Sequence, residues 1–326
     1  MDKKWKPVVV AVVLGVILPR VLLSVAKQKP TVNPAATQPP TQQQIQLNSP
    51  AQTTYLPVLT DENSIHVMAL EKYVLGVVLA EMPAEFEEEA LKAQAIVART
   101  YALRRLALQD RHMDVAVCTK SSCCQAYMSE EEFLQRGETV SGLEKITNAV
   151  EATRGQILTF EGEIIEATYF SCSGGRTEDA VAVWGVVIPY LQAVDSPGEE
   201  MSEKYEETVY FTAQEFAGKL GRELSGPPEK WLGKKTLTDG GGVNTMTVGG
   251  ITYTGIQLRQ LLGLNSTAFT LAATDDGIRV QTRGKGHRVG MSQYGANAMA
   301  LNGSDFVEIL AYYYQGTRID KLENIR

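Results

Sequence analysis

Apolar and polar positions divide the chain into three stretches. Residues 1–26 set Lys3, Lys4 and Lys6 before an apolar run from Val8 to Leu18, which resumes at Val21 after Pro19 and Arg20. Pro7 to Ala26 is long enough for a spanning helix, and Arg20 lies close enough to its far end to snorkel, so residues 1–27 are expected to be a transmembrane anchor. Ser24-Val25-Ala26 also suits a signal peptidase, which keeps cleavage open. If the segment stays, the leading lysines leave a short cytoplasmic tail and place everything after Lys27 outside the cytoplasm. Residues 28–54 are almost free of charge and of large apolar side chains, too little to repay the entropy of ordering, and are read as a flexible linker.

The third stretch, 55–326, carries the periodic patterns of a folded domain. Leu70, Val74 and Val77 fall at helical spacing over Met68–Ala80, the next position in the series is Glu81, and Pro83 stops the helix. A second helix is predicted over Ala84–Leu108, with Phe86, Ala90, Ala93, Val97 and Tyr101 as its apolar stripe and further alanines that admit close neighbours. A third is predicted over 141–154. Strands are predicted at Gln156–Phe160 and Ile164–Phe170, joined by a hairpin turn at Glu161-Gly162-Glu163, and further hairpins over 238–255. A short helix follows over 255–264. Residues 277–300 begin as a strand, cross a glycine-rich loop and enter a helix. Helices and antiparallel strands in blocks predict an α+β fold.

Composition changes this picture little: 44% hydrophobic and 21% charged residues are ordinary for a folded chain. The net charge of −7, with no basic stripe, argues against nucleic acid as a partner.

Candidate chemistry begins with five glutamates between positions 81 and 89. Glu85, Glu87, Glu88 and Glu89 suit the first turns of a helix, where carboxylates meet the positive end of the macrodipole, and Glu88 can pair with Lys92. Glu81 differs, because its place in the apolar series turns it toward packed groups. Desolvation there raises a carboxyl pKa and makes a general acid available near neutrality. The plainer alternative is an acidic residue capping one helix against the next across Pro83.

Three blocks carry a specific resemblance. They are Ala80-Glu81-Met82-Pro83 with the Glu89–Tyr101 segment, Tyr169-Phe170-Ser171-Cys172-Ser173-Gly174-Gly175-Arg176-Thr177, and Gly286-His287-Arg288-Val289-Gly290-Met291-Ser292-Gln293-Tyr294-Gly295-Ala296. In this order they resemble the stage II sporulation protein D family of peptidoglycan lytic transglycosylases, over roughly residues 57–316. Arg288 stands where relatives often have a second glycine, and Cys172 falls in a motif otherwise rich in serine and threonine.

The resemblance implies a membrane-anchored domain outside the cytoplasm, on the mother-cell side of the septal space. Its helices and strands would surround a glycan groove, and its role would be wall remodelling during engulfment. It implies Glu81 as the catalytic residue, first acid to the leaving sugar oxygen and then base to the muramyl C6 hydroxyl, giving 1,6-anhydro ends. The implied substrate is glycan stripped of stem peptides by a partner amidase resembling stage II sporulation protein P. Tyr169, Ser173, His287, Ser292, Gln293 and Tyr294 are the expected substrate-binding residues. Ser292 equally suits a helix N-cap, and Gln94 and Arg99 equally suit bracing of the helix pair. Arg283, Lys285 and Arg288 are expected to counter the lactyl carboxylates of stripped strands.

His112, Cys118 and Cys124 recur every six residues, and an imidazole with two thiolates suits zinc. The family resemblance supports zinc at these three residues, in a structural role. A disulfide, for example between Cys118 and Cys123, is the alternative in an oxidising compartment. Cys123 and Cys172 are candidates for a fourth ligand. A catalytic zinc hydrolysing amide or ester bonds and a non-catalytic wall-binding scaffold are the competing functions.

Overall fold

The computed structural model describes residues 53–60, 64–112 and 114–324. Residues 1–52, which hold the expected anchor and nearly all of the expected linker, lie outside the described residues. Among the described residues no helix is long and apolar enough to cross a membrane.

The chain opens with β1 (Tyr55–Leu59) and β2 (Ile65–Ala69), then α1 (Leu70–Glu81), α2 (Glu88–Leu108), β3 (Val117–Cys118), α3 (Glu130–Gln135) and α4 (Val140–Ala152). Strands β4 (Gln156–Phe160), β5 (Glu163–Ile164) and β6 (Tyr169–Phe170) follow, then α5 (Ala180–Trp184). The middle of the chain holds β7 (Glu206–Thr212), α6 (Ala213–Lys219), β8 (Leu232–Leu237), β9 (Val243–Val248), β10 (Ile251–Thr254), α7 (Gly255–Leu262), β11 (Phe269–Thr274) and β12 (Gly277–Arg283). It ends with β13 (Met291–Ser292), α8 (Gln293–Leu301), α9 (Phe306–Tyr313) and β14 (Arg318–Lys321). This is a mixed α+β architecture with small sheets: β2-β1-β3, β14-β4-β5, β13-β6, β10-β9-β8 and β11-β12-β7. The pairs β1–β3 and β6–β13 are parallel, whereas the sequence pattern predicted antiparallel strands throughout.

Two apolar cores form. One gathers α1, α2, α4, α8 and α9 around residues such as Tyr73, Val77, Ile96, Ile146 and Leu310. The other lies within residues 211–280 and is built on Phe216, Trp231, Val248, Leu258 and Ile278. Helix α2 sits at the centre of the first core. Ala90, Ala93, Ala95, Ala98 and Ala102 are all buried, and α1, α4, α8 and α9 all contact it. A helix surrounded in this way is mostly apolar, and a polar side chain on it needs partners; the amide of Gln94, 0% exposed, has no hydrogen-bond partner among the described residues. Arg99, 0% exposed, meets that demand by pairing with Glu71 of α1 at 2.6 Å and donating to the Gln156 carbonyl at 3.1 Å. Its bracing role joins α2 to α1 and to β4.

The boundaries differ from the sequence pattern where tertiary pairing takes over. Met68 and Ala69 belong to β2, opposite Leu56 and Tyr55, so α1 starts at Leu70. Residues 84–87 form a turn, with Phe86 N–H donating to the Pro83 carbonyl, and α2 starts at Glu88. The strand predicted over Ile164–Phe170 is divided into β5, which pairs with β4, and β6, which pairs with β13. The hairpin between β4 and β5 turns at Glu161 (φ 52°) and Gly162 (φ 88°), the left-handed pair that a two-residue turn requires. Among the helical glutamates, Lys92 lies 2.8 Å from Glu88 and 2.8 Å from Glu89.

Removing one partner of a buried ion pair leaves the other charge uncompensated. Arg99→Ala is therefore expected to destabilise the fold by about 3–5 kcal/mol. Chemical denaturation of the variant beside the parent chain measures it; a loss below about 1 kcal/mol would show that Arg99 does not brace α2.

Candidate active site

Glu81 is the last residue of α1, half-buried, with Met82 leaving the helix in extended conformation and Pro83 unable to continue it. Residues far away in sequence converge on its carboxyl group. Oε1 accepts the Ala126 N–H at 3.0 Å and the Tyr169 hydroxyl at 3.3 Å, and Oε2 accepts the Gln293 side-chain amide at 3.5 Å. The three sequence blocks thus meet at one carboxyl. Tyr169 is held by β6 and Gln293 opens α8, and the β6–β13 pairing, with Tyr169 opposite Met291 and Phe170 opposite Ser292, brings the two segments together.

The loop after β3 reaches Glu81 because α1 carries Gly76 where a side chain would strike the Tyr127 ring. Tyr127 stacks on Tyr73 at 6.0 Å, and Met128 N–H donates to the Gly76 carbonyl at 3.0 Å. Ala126 is thereby laid against the C-terminal end of α1. Gln125, which no sequence pattern singled out, donates to the Tyr169 hydroxyl at 3.2 Å and accepts from Tyr73 at 3.2 Å.

Burial raises the Glu81 pKa above the ordinary carboxyl range. The Ala126 N–H, the Gln293 amide, the Tyr169 hydroxyl and the charge of Lys285 pull in the other direction. Among the described residues no second carboxylate hydrogen-bonds Glu81.

The other expected binding residues fall into two groups. Tyr294 is half-buried, its ring edge-on to Phe86 at 5.0 Å. The His287 ring lies against Phe170 at 5.8 Å and Trp184 at 5.7 Å, and Nδ1 accepts the Val289 N–H. Burial, with the nearby charge of Arg259, lowers its pKa to about 4, so the imidazole is neutral at physiological pH. Ser173 and Ser292 are fully buried. Ser292 is the N-cap of α8, accepting the Gly295 N–H at 3.2 Å. The Ser173 hydroxyl donates to Glu199, whose carboxylate also accepts the Ser173 and Gly174 N–H groups, each at 2.8 Å. Glu199 was not foreseen; it is fully buried and organises the second block from 25 or more residues away.

The basic loop divides as well. Lys285 is exposed, Arg283 is exposed and 3.2 Å from Glu206, and Arg288 is buried. Arg288 pairs with Glu178 at 3.3 Å and donates to the carbonyls of Arg176 and Gly240, so it does not face a substrate as expected. Its φ of +67° lies in the left-handed region that favours glycine.

His112, Cys118, Cys123 and Cys124 form a second cluster, with their ligand atoms all within 4.8 Å of one another. His112 Nε2 is 3.6 Å from Cys123 Sγ and 3.5 Å from Cys124 Sγ, and the two sulfurs are 3.9 Å apart. A tetrahedral zinc ion with bonds of ~2.3 Å to sulfur and ~2.0 Å to nitrogen would space its donors at roughly 3.5–3.8 Å, close to the separations of His112, Cys123 and Cys124, with Cys118 within 4.8 Å of them. All four cysteines are free thiols. Cys172 lies apart, its thiol 3.2 Å from Glu199.

A family model described as stage II sporulation protein matches residues 59–160, which places the chain among sporulation proteins. The chain is 44% identical over 270 residues to stage II sporulation protein D of Bacillus subtilis (strain 168), covering 81% of this chain and 78% of that protein. It is 41% identical, with the same coverage, to the protein of that name from Bacillus amyloliquefaciens. The chain belongs to the stage II sporulation protein D family, whose role lies in sporulation. It is also 25% identical over 303 residues to the amidase enhancer of Bacillus subtilis (strain 168), covering 75% of this chain and 40% of that protein.

A buried neutral histidine makes a directional prediction. Between about pH 4 and the ordinary value of about 6.5, the unfolded chain binds a proton at residue 287 that the folded chain does not, so stability falls as pH drops through this window. His287→Gln is expected to flatten that part of the stability profile. An NMR titration of the imidazole should give a midpoint near 4; a midpoint near 6.5 would place the ring in water.

Proposed function

We propose that the protein is a peptidoglycan lytic transglycosylase. It cleaves glycan strands, preferably stripped of stem peptides, and leaves 1,6-anhydromuramyl ends during septal wall remodelling and engulfment. The observation that carries this reading is one half-buried carboxyl, Glu81, on which Ala126, Tyr169 and Gln293 converge from segments far apart in the sequence. Glycoside hydrolysis ordinarily needs two carboxylates, one for the leaving oxygen and one for water or the sugar carbon. A single acid is sufficient when the substrate supplies its own nucleophile.

In the first step Glu81 gives its proton to the glycosidic oxygen as the bond from that oxygen to muramyl C1 breaks. In the second the Glu81 carboxylate takes the proton of the C6 hydroxyl as O6 bonds to C1, which restores the acid. Tethering of O6 to the reacting ring supplies proximity. Burial raises the Glu81 pKa and favours the acid form that the first step needs, while the three donors and Lys285 pull the other way and favour the anion that the second step needs. Exposed Lys285, whose charge reaches Glu81, suits the lactyl carboxylates that loss of stem peptides uncovers. Tyr169, Gln293, Tyr294 and His287 would line a glycan groove, with Ser173 and Ser292 shaping its loops from inside. The N-terminal anchor, the position outside the cytoplasm and a partner amidase resembling stage II sporulation protein P belong to the same reading.

The metal of this reading is zinc, held by His112, Cys118 and Cys124 with Cys123 as the fourth donor. Zinc there would supply a structural cross-link of the loop that presents Gln125 and Ala126. Four protein donors fill a tetrahedral ion and leave no position for water, which favours this role over a zinc-dependent amidase.

Peptide-free strands incubated with the enzyme are expected to yield anhydro ends by mass spectrometry. Glu81→Gln should lower the rate by on the order of 10²–10⁴-fold. Reducing ends would mean hydrolysis, and no products a wall-binding scaffold. Metal analysis should find about one zinc per chain, lost in Cys124→Ser. The denatured, chelated protein should titrate as four thiols; two fewer would reveal a disulfide.

A further inference from the structure

We propose that Gln125 is a positioning residue that fixes the direction of the hydrogen bond between Tyr169 and Glu81, leaving Oε2 as the oxygen that gives and takes the proton. The proposal rests on Glu81 being the acid of the preceding reading.

The polar chain behind Glu81 has four members. Tyr73 donates to Gln125 Oε1 at 3.2 Å, Gln125 Nε2 donates to the Tyr169 oxygen at 3.2 Å, and Tyr169 donates to Glu81 Oε1 at 3.3 Å. A phenol has one proton to give. With its oxygen accepting from the Gln125 amide, Tyr169 has its own hydrogen free for Glu81. The reverse chain would turn the amide, let Tyr169 donate to Gln125, and require a proton on Glu81 Oε1. That oxygen already accepts the Ala126 N–H at 3.0 Å, a group that can only donate. The reverse chain would also leave the buried Tyr73 hydroxyl hydrogen without the acceptor it has in Gln125, so the first direction is the one that satisfies every member. Tyr73 is fully buried and Gln125 nearly so, which excludes water as a substitute partner and makes a lost bond costly.

Two donors on Oε1 reserve it as the acceptor oxygen in both protonation states. Oε2 has the single, longer contact with Gln293 at 3.5 Å, and so is free to reach a glycosidic oxygen. Gln125 and Ala126 directly follow Cys124, so the thiol loop delivers the Ala126 contact to Oε1 itself and the Gln125 contact to the tyrosine oxygen that donates to it. The ionisable groups that act on Glu81 are Tyr169 and Lys285, and Tyr73 stands behind Tyr169, in the field of the Cys118 and Cys124 thiols.

The test reads Glu81 directly by NMR of carboxyl-labelled glutamate in the full chain, assigned by its absence in Glu81→Gln. Tyr169→Phe removes a donor to the anion and should raise the Glu81 midpoint by about one pH unit. Gln125→Leu should raise it by a similar amount, because the phenol hydrogen is no longer aimed. The double variant should show no more than Tyr169→Phe alone, whereas Gln125→Leu with Gln293→Leu should add, since Gln293 touches the other oxygen. Tyr73→Phe, which keeps the amide but removes its donor, serves as a milder second variant should Gln125→Leu fold poorly, and should shift the midpoint in the same direction. An unchanged midpoint in Gln125→Leu or Tyr73→Phe, or additivity with Tyr169→Phe, overturns the proposal. Activity separates this from the functional reading. Midpoints that shift as expected in a chain that cleaves no glycan would sink the transglycosylase assignment and leave the hydrogen-bond direction established.

Discussion

A carboxyl group withdrawn from water at the end of α1, and the donors that converge on it, form the constraint around which the structure is organised. Burial alone would hold Glu81 neutral, and the donors alone would hold it ionised. The acid and base roles proposed for Glu81 need both influences. The balance depends on contacts from three separated segments: residue 126 in the thiol loop, residue 169 in β6 and residue 293 in α8. None is local to Glu81, so the site exists only when the fold is complete.

The remaining structure explains how these segments keep their places. Helix α2, buried on all sides and tied to α1 through Arg99 and Glu71, holds the end of α1 still. Glu199 collects the backbone and hydroxyl of the Ser173–Gly174 turn, and its other oxygen accepts from Ser196, which meets Tyr313 of α9 at 2.6 Å. The Glu178–Arg288 pair does similar work in the third block, joining it to the carbonyls of Arg176 and Gly240. Arg99 and Arg288 are ion-paired with Glu71 and Glu178, and Glu199 is satisfied by hydrogen bonds alone, conditions under which such groups persist in a core.

The legible parts of the sequence were those where local pattern and tertiary demand agree. Helices α1, α2, α4 and α7, strand β4 and its hairpin turn, and the special position of Glu81 follow from periodicity, a proline and left-handed turn residues. Strands β7 and β14 went unforeseen because their partners β12 and β4 are distant in sequence, whereas β11, paired with the adjacent β12, and the short helices α3 and α6, each with a local capping box, were missed despite local signals. Strand β6 is two residues long and exists because β13 pairs with it. Hydroxyl and basic residues misled for a related reason. Ser173, Ser292 and Arg288 look suited to a sugar or carboxylate when read along the chain, yet each is turned inward by Glu199, by the start of α8 and by Glu178. Gln125 carried no signal beyond following a cysteine pair, because its partners Tyr73 and Tyr169 are 52 and 44 residues away.

Among the described residues no carboxylate hydrogen-bonds Glu81, and the proposed reaction is one in which the sugar attacks itself. Glycan cleavage carried out in water enriched in heavy oxygen tests this most directly, because only hydrolysis delivers a solvent oxygen to C1. The new muramyl ends are expected to carry no heavy oxygen and to weigh one water less than reducing ends. Heavy oxygen at those ends would show that water is the nucleophile and that Glu81 does not act alone.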